Sequence, residues 1–324
     1  MCGDGGLLMK KSIQGMSLLE VLVTLLIGTL VAAAALQVLL TSTLNYNIQK
    51  SMSELQDNGN FGLSYIIRDL KLANLDANQA VINDRNNYGG IVLTSRSSYA
   101  GLTEDELAVQ SMNFPSHLKN NSDLNLVSRT GIHTSTVGKS DQLVIQYRAY
   151  EPDTFDCEGN KIEQEEINQG TFIVQRYFLR KDGKAYALAC DAGRYQALLA
   201  IPASGITGLG DNGQIVIRRV DHFKFLLGIK ENDKDEYRYL SAEDYMGEGN
   251  KLTKDADPRP RIMSIQLAIL SRGYEPMNSN ETIRTKFNIF NEEVEIKDDD
   301  KKYLREVITQ TVALRNGYGL MEEL

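Results

Sequence analysis

The hydrophobic pattern of the chain is dominated by one long run. From Met16 to Leu40 almost every position is apolar, with Lys10, Lys11 and Gly15 just before it and one carboxylate, Glu20, near its start. At about 1.5 Å of rise per residue, a helix of that length crosses a hydrocarbon core of roughly 30 Å. Past Leu40 the sequence turns polar without a helix breaker. Leu44, Ile48, Met52 and Leu55, then Leu63, Ile66, Ile67 and Leu70, recur at three-to-four spacing. The helix is therefore predicted to continue as an amphipathic one to about Asn74. Gly59 and Gly62 lie inside it, and because each glycine costs about 1 kcal/mol against alanine, a loosening or kink is expected there.

Beyond the helix the period changes. Residues 75–140 are rich in Asn, Asp, Ser and Gly, with short apolar pieces at Ile91–Leu93 and Leu107–Val109, and read as a loop-rich region. From Asp141 on, β-prone runs follow one another at 143–147, 171–180, 185–190, 214–219, 221–229, 262–270, 285–290 and 303–314. Asp182-Gly183 between the second and third runs predicts a tight hairpin. No helical period of useful length separates these runs, which argues against βαβ units. The pattern predicts an α+β fold, an antiparallel sheet packed against the long N-terminal helix.

Charge and cysteines narrow the setting. The formal net charge is −8 and the basic residues are scattered, so direct nucleic-acid binding is not expected. Lys10 and Lys11 precede the apolar run and the next lysine is Lys50, which places the N-terminus in the cytoplasm and the bulk outside it. The small residues Ala32 to Ala35 fall inside the run rather than after it, so the segment is expected to stay attached rather than leave as a secretory signal. Cys2 has no apolar stretch before it, which argues against a lipoprotein signal. In an oxidising compartment Cys157 and Cys190 predict a disulfide. Two reduced buried cysteines or a metal pair are the alternatives, the latter with no CxxC or nearby His to complete a ligand set.

Candidate chemistry is sparse. His117, His133 and His222 are far apart in sequence, and nothing matches HExxH, GxSxG or a Walker loop. Gly208 to Gly213 fits GxGxxG by letters but precedes a strand instead of a helix, so it reads as a turn. Asp298-Asp299-Asp300 and Asn232 to Glu236 lack the Gly and distal Glu of a calcium loop and read as solvated turns. No cofactor, metal or catalytic set is expected, and the chain does not read as an enzyme. Glu20 stands out by contrast. A carboxylate inside a span costs about 2.5–3.5 kcal/mol, and no basic residue lies between Met16 and Gln49. Either Glu20 reaches lipid headgroups at the interface, or its positive partner comes from another molecule.

The segment from Lys10 through Gly15 to Glu20 resembles the signal of type IV prepilins, with a short basic leader, Gly at the cleavage position and Glu fifth in the mature chain. Residues 55–70, 156–159, 176–179 and 305–316 are similar to the PilW family of minor pilins. The resemblance implies a pilin-like fold with residues 1–15 as leader (seven residues when counted from Met9), 16–40 as transmembrane and filament-core helix, 41–75 as its amphipathic continuation and 76–324 as a periplasmic β-rich domain. It implies that prepilin peptidase cuts between Gly15 and Met16, that Met16 is N-methylated although pilins usually carry Phe there, and that Glu20 meets the freed amine of a neighbouring subunit. The implied partners are other minor pilins, the major pilin, a tip adhesin and inner-membrane lipid. The implied role is priming or capping a type IV pilus for motility, adhesion or DNA uptake. Two other readings share the helix: a minor pseudopilin of a type II secretion system, and a membrane-anchored periplasmic enzyme or binding protein.

Overall fold

The computed structural model describes residues 15–77, 79–93, 111–115, 118, 124–197, 206–230, 236–246, 259–277, 283–296 and 302–317. His117 and the acidic runs at 232–235 and 298–300 lie outside them. The chain divides into two units, one ending at Lys50 and the other spanning Ser51–Leu324.

Helix α1, Leu18–Leu70, continues through Gly59 and Gly62, which do not end it. The reason lies in its buried stripe. Leu55, Gly59, Gly62, Leu63, Ile66, Asp69 and Leu70 recur every three or four residues on one face. A Cβ on Gly59 would run into Ile308, and one on Gly62 into Ile217. The two glycines bring the helix down onto the strands, and that close packing offsets their low propensity. The helix ends at Leu70, short of Asn74, which takes up a left-handed conformation at φ 66°. Asn74 Nδ2 donates to the carbonyls of Gln79 and Asn316, and its Oδ1 accepts from Gly90 N at 2.9 Å. Asn316 in turn donates to the carbonyls of Lys71 and Ala73 at 3.1 and 3.0 Å, so two asparagines 242 residues apart terminate the helix.

The strands of the second unit are antiparallel and divide into two larger sheets and a hairpin. Five strands run in the order β1 (Arg129–Thr134), β2 (Lys139–Arg148), β3 (Thr171–Asp182), β4 (Ala185–Gln196) and β5 (Gln214–Arg218). Four more are β6 (Val220–Lys230), β7 (Tyr237–Leu240), β8 (Arg261–Pro276) and β11 (Tyr303–Ala313), in the order β11-β8-β6-β7. β9 (Lys286–Ile289) and β10 (Glu292–Glu295) pair with each other. Among the described residues there are also two five-residue helices, α2 (Gln164–Asn168) and α3 (Ala242–Met246), and two 3-10 turns at Leu124–Leu126 and Arg315–Gly317. The predicted hairpin is present: Asp182 pairs with Ala185 and Gly183 sits at φ 61°.

The core gathers Leu63, Ile66 and Leu70 of α1 with Tyr177 and Leu188 of the first sheet and Phe223, Ile265 and Ile269 of the second. Where the sheets meet, side chains stand in for a missing strand. β7 covers β6 only along 227–230. Further along β6, Phe223 N donates to Ser140 Oγ and Phe225 N to Asp141 Oδ2, both at 3.1 Å, so β2 satisfies the open edge of β6. The stretch read as loop is also well packed where it is described. Ile82, Ile91, Val92 and Leu93 are fully buried, and Asn113 donates to the carbonyls of Asn83 and Asn86 while accepting from Leu93 N.

Candidate functional site

The first unit is a helix whose sequence is apolar on all sides. Met16, Leu18, Leu19, Leu22, Leu25 and Leu26 all lie exposed, and the exposure continues through Leu40 and Leu44. The helix is long and apolar enough to cross a membrane, with none of its most apolar window buried. A surface like this is stable only in lipid or against other helices.

Glu20 lies in the first turn of α1, where the exposed amide dipoles favour a carboxylate. Thr24 Oγ1 donates to the backbone carbonyls of Glu20 and Val21, both at 2.9 Å, which leaves the Glu20 carboxylate outside that pattern. Gly15 and Met16 precede the helix, outside any helix or strand, and both are exposed. A Cβ built on Gly15 meets nothing within 4 Å, so packing within the chain does not account for glycine at that position. The three residues singled out in the sequence are thus presented outward, within six positions of one another.

Cys157 and Cys190 are joined by a disulfide, Cα to Cα 6.0 Å, tying the turn at 156–159 to β4. Asp156 orders that turn: its Oδ1 accepts from the amides of Glu158 and Asn160 at 2.9 Å, and its other oxygen pairs with Arg194 at 2.9 Å.

Sequence order gave no sign of what surrounds this turn. Glu158, Asp191 and Asp211 bring carboxylate oxygens within 4.8 Å of one another. Asp191 is paired with Arg176 at 2.7 Å and accepts from Gly210 N at 2.9 Å, so part of that charge is balanced internally. On the other side of the turn is a cavity of about 350 Å³ against α1, with Asp69 and Tyr177 at its wall. Tyr177 Oη donates to Asp69 Oδ2 at 2.6 Å. Burial pushes the Asp69 carboxyl up, with the Tyr177 hydrogen bond and Arg68 opposing it. These groups come from α1, the 156–159 turn, β3 and β5, separated by up to 150 residues of chain or more, and a spacing motif cannot span such a distance. His133 on β1, half-buried, contacts Gln142 at 2.9 Å, and His222 on β6, buried, lies 3.2 Å from Ser140 Oγ; both serve as hydrogen-bonding groups. Gly208 to Gly213 forms the turn leading into β5.

Residues 10–36 match the family model of the prokaryotic N-terminal methylation motif, and residues 176–316 match that of the type IV pilus-assembly protein W. The second match runs from inside β3 to the asparagine that closes α1. No curated protein matches the chain. Among solved structures it is similar to a type IV-like pilin from Thermus thermophilus, at 11% identity and a TM-score of 0.35, covering 81% of this chain and 96% of that one.

Proposed function

We propose that this chain, a type IV pilus minor pilin of the PilW family that takes part in pilus assembly, uses residues 16–40 first as a membrane anchor and then as filament core. The observation that carries the reading is an apolar helix exposed along its whole first half, with one carboxylate in its first turn, inside a segment that matches the N-terminal methylation motif. The family points to a structural, non-enzymatic protein anchored in a membrane as a pilus component.

In finer detail, prepilin peptidase removes residues 1–15 by cutting after Gly15, and the new N-terminus at Met16 is methylated. The exposed, sterically unconstrained Gly15 supports this. Glu20 then pairs with the Met16 amine of a neighbouring pilin. At contact such a pair attracts by roughly 4 kcal/mol at an effective dielectric near 20, enough to offset the cost of a carboxylate among apolar helices. Lys10 and Lys11 hold the N-terminus in the cytoplasm, so the anchor sits in the inner membrane and the second unit in the periplasm. There the protein joins other minor pilins to prime or cap the filament, supporting motility, adhesion or DNA uptake.

Replacing Gly15 by a bulkier residue tests the reading. The expected result is a chain that retains its leader, measured by intact mass, in cells with few or no pili. Normal processing and normal piliation would overturn it.

A further inference from the structure

The free sides of β6 and β11 are treated differently by the fold. Leu314 N donates to Met263 O at 2.9 Å, and the pairing of β11 with β8 runs without a slip from Arg305↔Arg272 to Ala313↔Ser264. In an antiparallel ladder the backbone groups alternate sides. Glu306, Ile308, Gln310 and Val312 therefore bond to β8, while the N–H and C=O groups of Val307, Thr309, Thr311 and Ala313 point away from it. On β6 the same alternation turns the amides of Phe223 and Phe225 outward, and Ser140 and Asp141 accept them. On β11 no described residue meets the four outward positions, and Thr309, Thr311 and Ala313 are exposed.

A bare sheet edge is ordinarily short, irregular or charged. Among the described residues the other edges follow that rule. β7 and each strand of the β9–β10 hairpin have four residues, β5 has five, and β1 shifts register between Arg129 and His133. β11 has eleven residues, and its stretch from Val307 to Ala313 contains neither charge nor proline. Such an edge matches one chemical class of partner, an extended backbone that supplies amides and carbonyls at the same two-residue spacing.

We propose that the β11 edge receives an extended strand of a neighbouring, different pilin, which joins the second sheet through the outward groups of Val307, Thr309, Thr311 and Ala313. A second copy of this chain is disfavoured by direction. The end of α1 runs alongside β11 in the same sense: Gln56 Nε2 lies 3.5 Å from Glu306 Oε1, Gly59 packs against Ile308, and Asn316 donates to the Lys71 carbonyl. Pairing β11 antiparallel with its own copy sets these helix segments head to tail, and pairing it parallel sets them on opposite faces of the joined sheet. Neither lets the two helices pack side by side in one direction, as helices of a filament core must. A different pilin is under no such symmetry. The choice of a pilin rests on the assembly role proposed above and adds a main-chain contact to it.

The test uses the full-length processed protein in detergent. Thr309→Pro and Thr311→Pro each remove one outward N–H and no bond to β8, and proline is tolerated where a strand N–H faces out. Each is expected to lower the co-purification of other pilins about tenfold, with leader removal intact. Thr309→Ala and Thr311→Ala keep the N–H and should leave it within about twofold. Undiminished co-purification of both proline variants overturns this proposal alone, and so does an equal loss in the alanine variants. Co-purification with further copies of this chain and no other pilin overturns it as well. An unsubstituted chain that co-purifies with no pilin overturns the assembly role and this proposal with it. Independently of any variant's folding, the Thr309 and Thr311 amides are expected to exchange about tenfold more slowly in the pilin complex than in the separated chain. Unchanged exchange overturns the proposal. Where a proline variant lowers the melting temperature, the exchange result decides.

Discussion

Asp141 on β2 and His222 on β6 are each 2% exposed, and burial pushes both toward their uncharged forms. The Asp141 carboxyl is raised to about 6, chiefly by burial, against its hydrogen bonds from Phe225 N and Gly131 N. The His222 imidazole is lowered to about 4, again chiefly by burial, with Lys224 adding to the shift. For the carboxyl, the native state holds its proton to higher pH than the unfolded chain, so its contribution to stability falls as pH rises from about 4 to 6. For the imidazole, the unfolded chain takes up the proton first on acidification, so its contribution falls as pH drops from about 6.5 to 4. Each effect amounts to about 3 kcal/mol over its full range, and the two nearly cancel. His222→Gln is therefore expected to leave a protein whose stability, relative to the unsubstituted chain, declines with rising pH across this window. Asp141→Asn should show the opposite slope. Urea midpoints measured at several pH values check both, and parallel curves for all three proteins would show that the shifts do not bear on folding.

At the scale of elements, the two glycines of α1 show how local propensity and packing compete. Alanine at position 62 would favour the helix by about 1 kcal/mol, but its Cβ would run into the fully buried Ile217 of β5. Overpacking of a tight core costs about 1–3 kcal/mol, so Gly62→Ala is expected to destabilise by up to about 2 kcal/mol net despite the better helix former. Combined with Ile217→Ala, it should cost less than the sum of the two single changes. Additive denaturation midpoints would show that the helix does not depend on this approach. The same competition explains which elements were legible. The strands from 143 to 314 announce themselves because apolar and β-branched residues recur with turns between them. β1 does not, since Gly131 at φ 64° and a register shift between Arg129 and His133 interrupt its pattern. β7, Tyr237–Leu240, and β10, Glu292–Glu295, are not predicted either, being short and largely exposed. The Asn83 and Asn113 scaffold was read as loop because its order comes from side chains bonding backbone 20 or 30 residues away, which composition alone reports as polar and flexible.

For the molecule as a whole, the two sites differ in how they are encoded. Gly15, Met16 and Glu20, the residues of the proposed assembly segment, lie within six positions of one another against an apolar background, so the pattern of the chain alone picks them out as candidates. The cavity beside the Cys157 turn is assembled from segments far apart in the chain, and its buried Asp69 is held by Tyr177 from β3 and by Arg68 beside it. The Cys157–Cys190 disulfide is common to both levels, since an even pair beyond a membrane segment predicts it and the fold uses it to hold the turn that builds the cavity. It closes a 33-residue loop, worth roughly 3–4 kcal/mol in the chain-entropy model. Cys190 is fully buried on β4, between Tyr177 and Gln214 of the adjacent strands, so the sheet holds one end, while the bond, together with the Asp156–Arg194 pair, holds the turn at the other. Reduction, or Cys157→Ala with Cys190→Ala, is therefore expected to lower unfolding stability by about 3 kcal/mol while the far-ultraviolet spectrum of the folded state stays close to that of the oxidised chain. The loss should grow at the turn first, seen as faster amide exchange at 157–160 than in β3 and β4. An unfolding midpoint that does not move on reduction would mean that the turn is held by Asp156 and Arg194 without help from the bond.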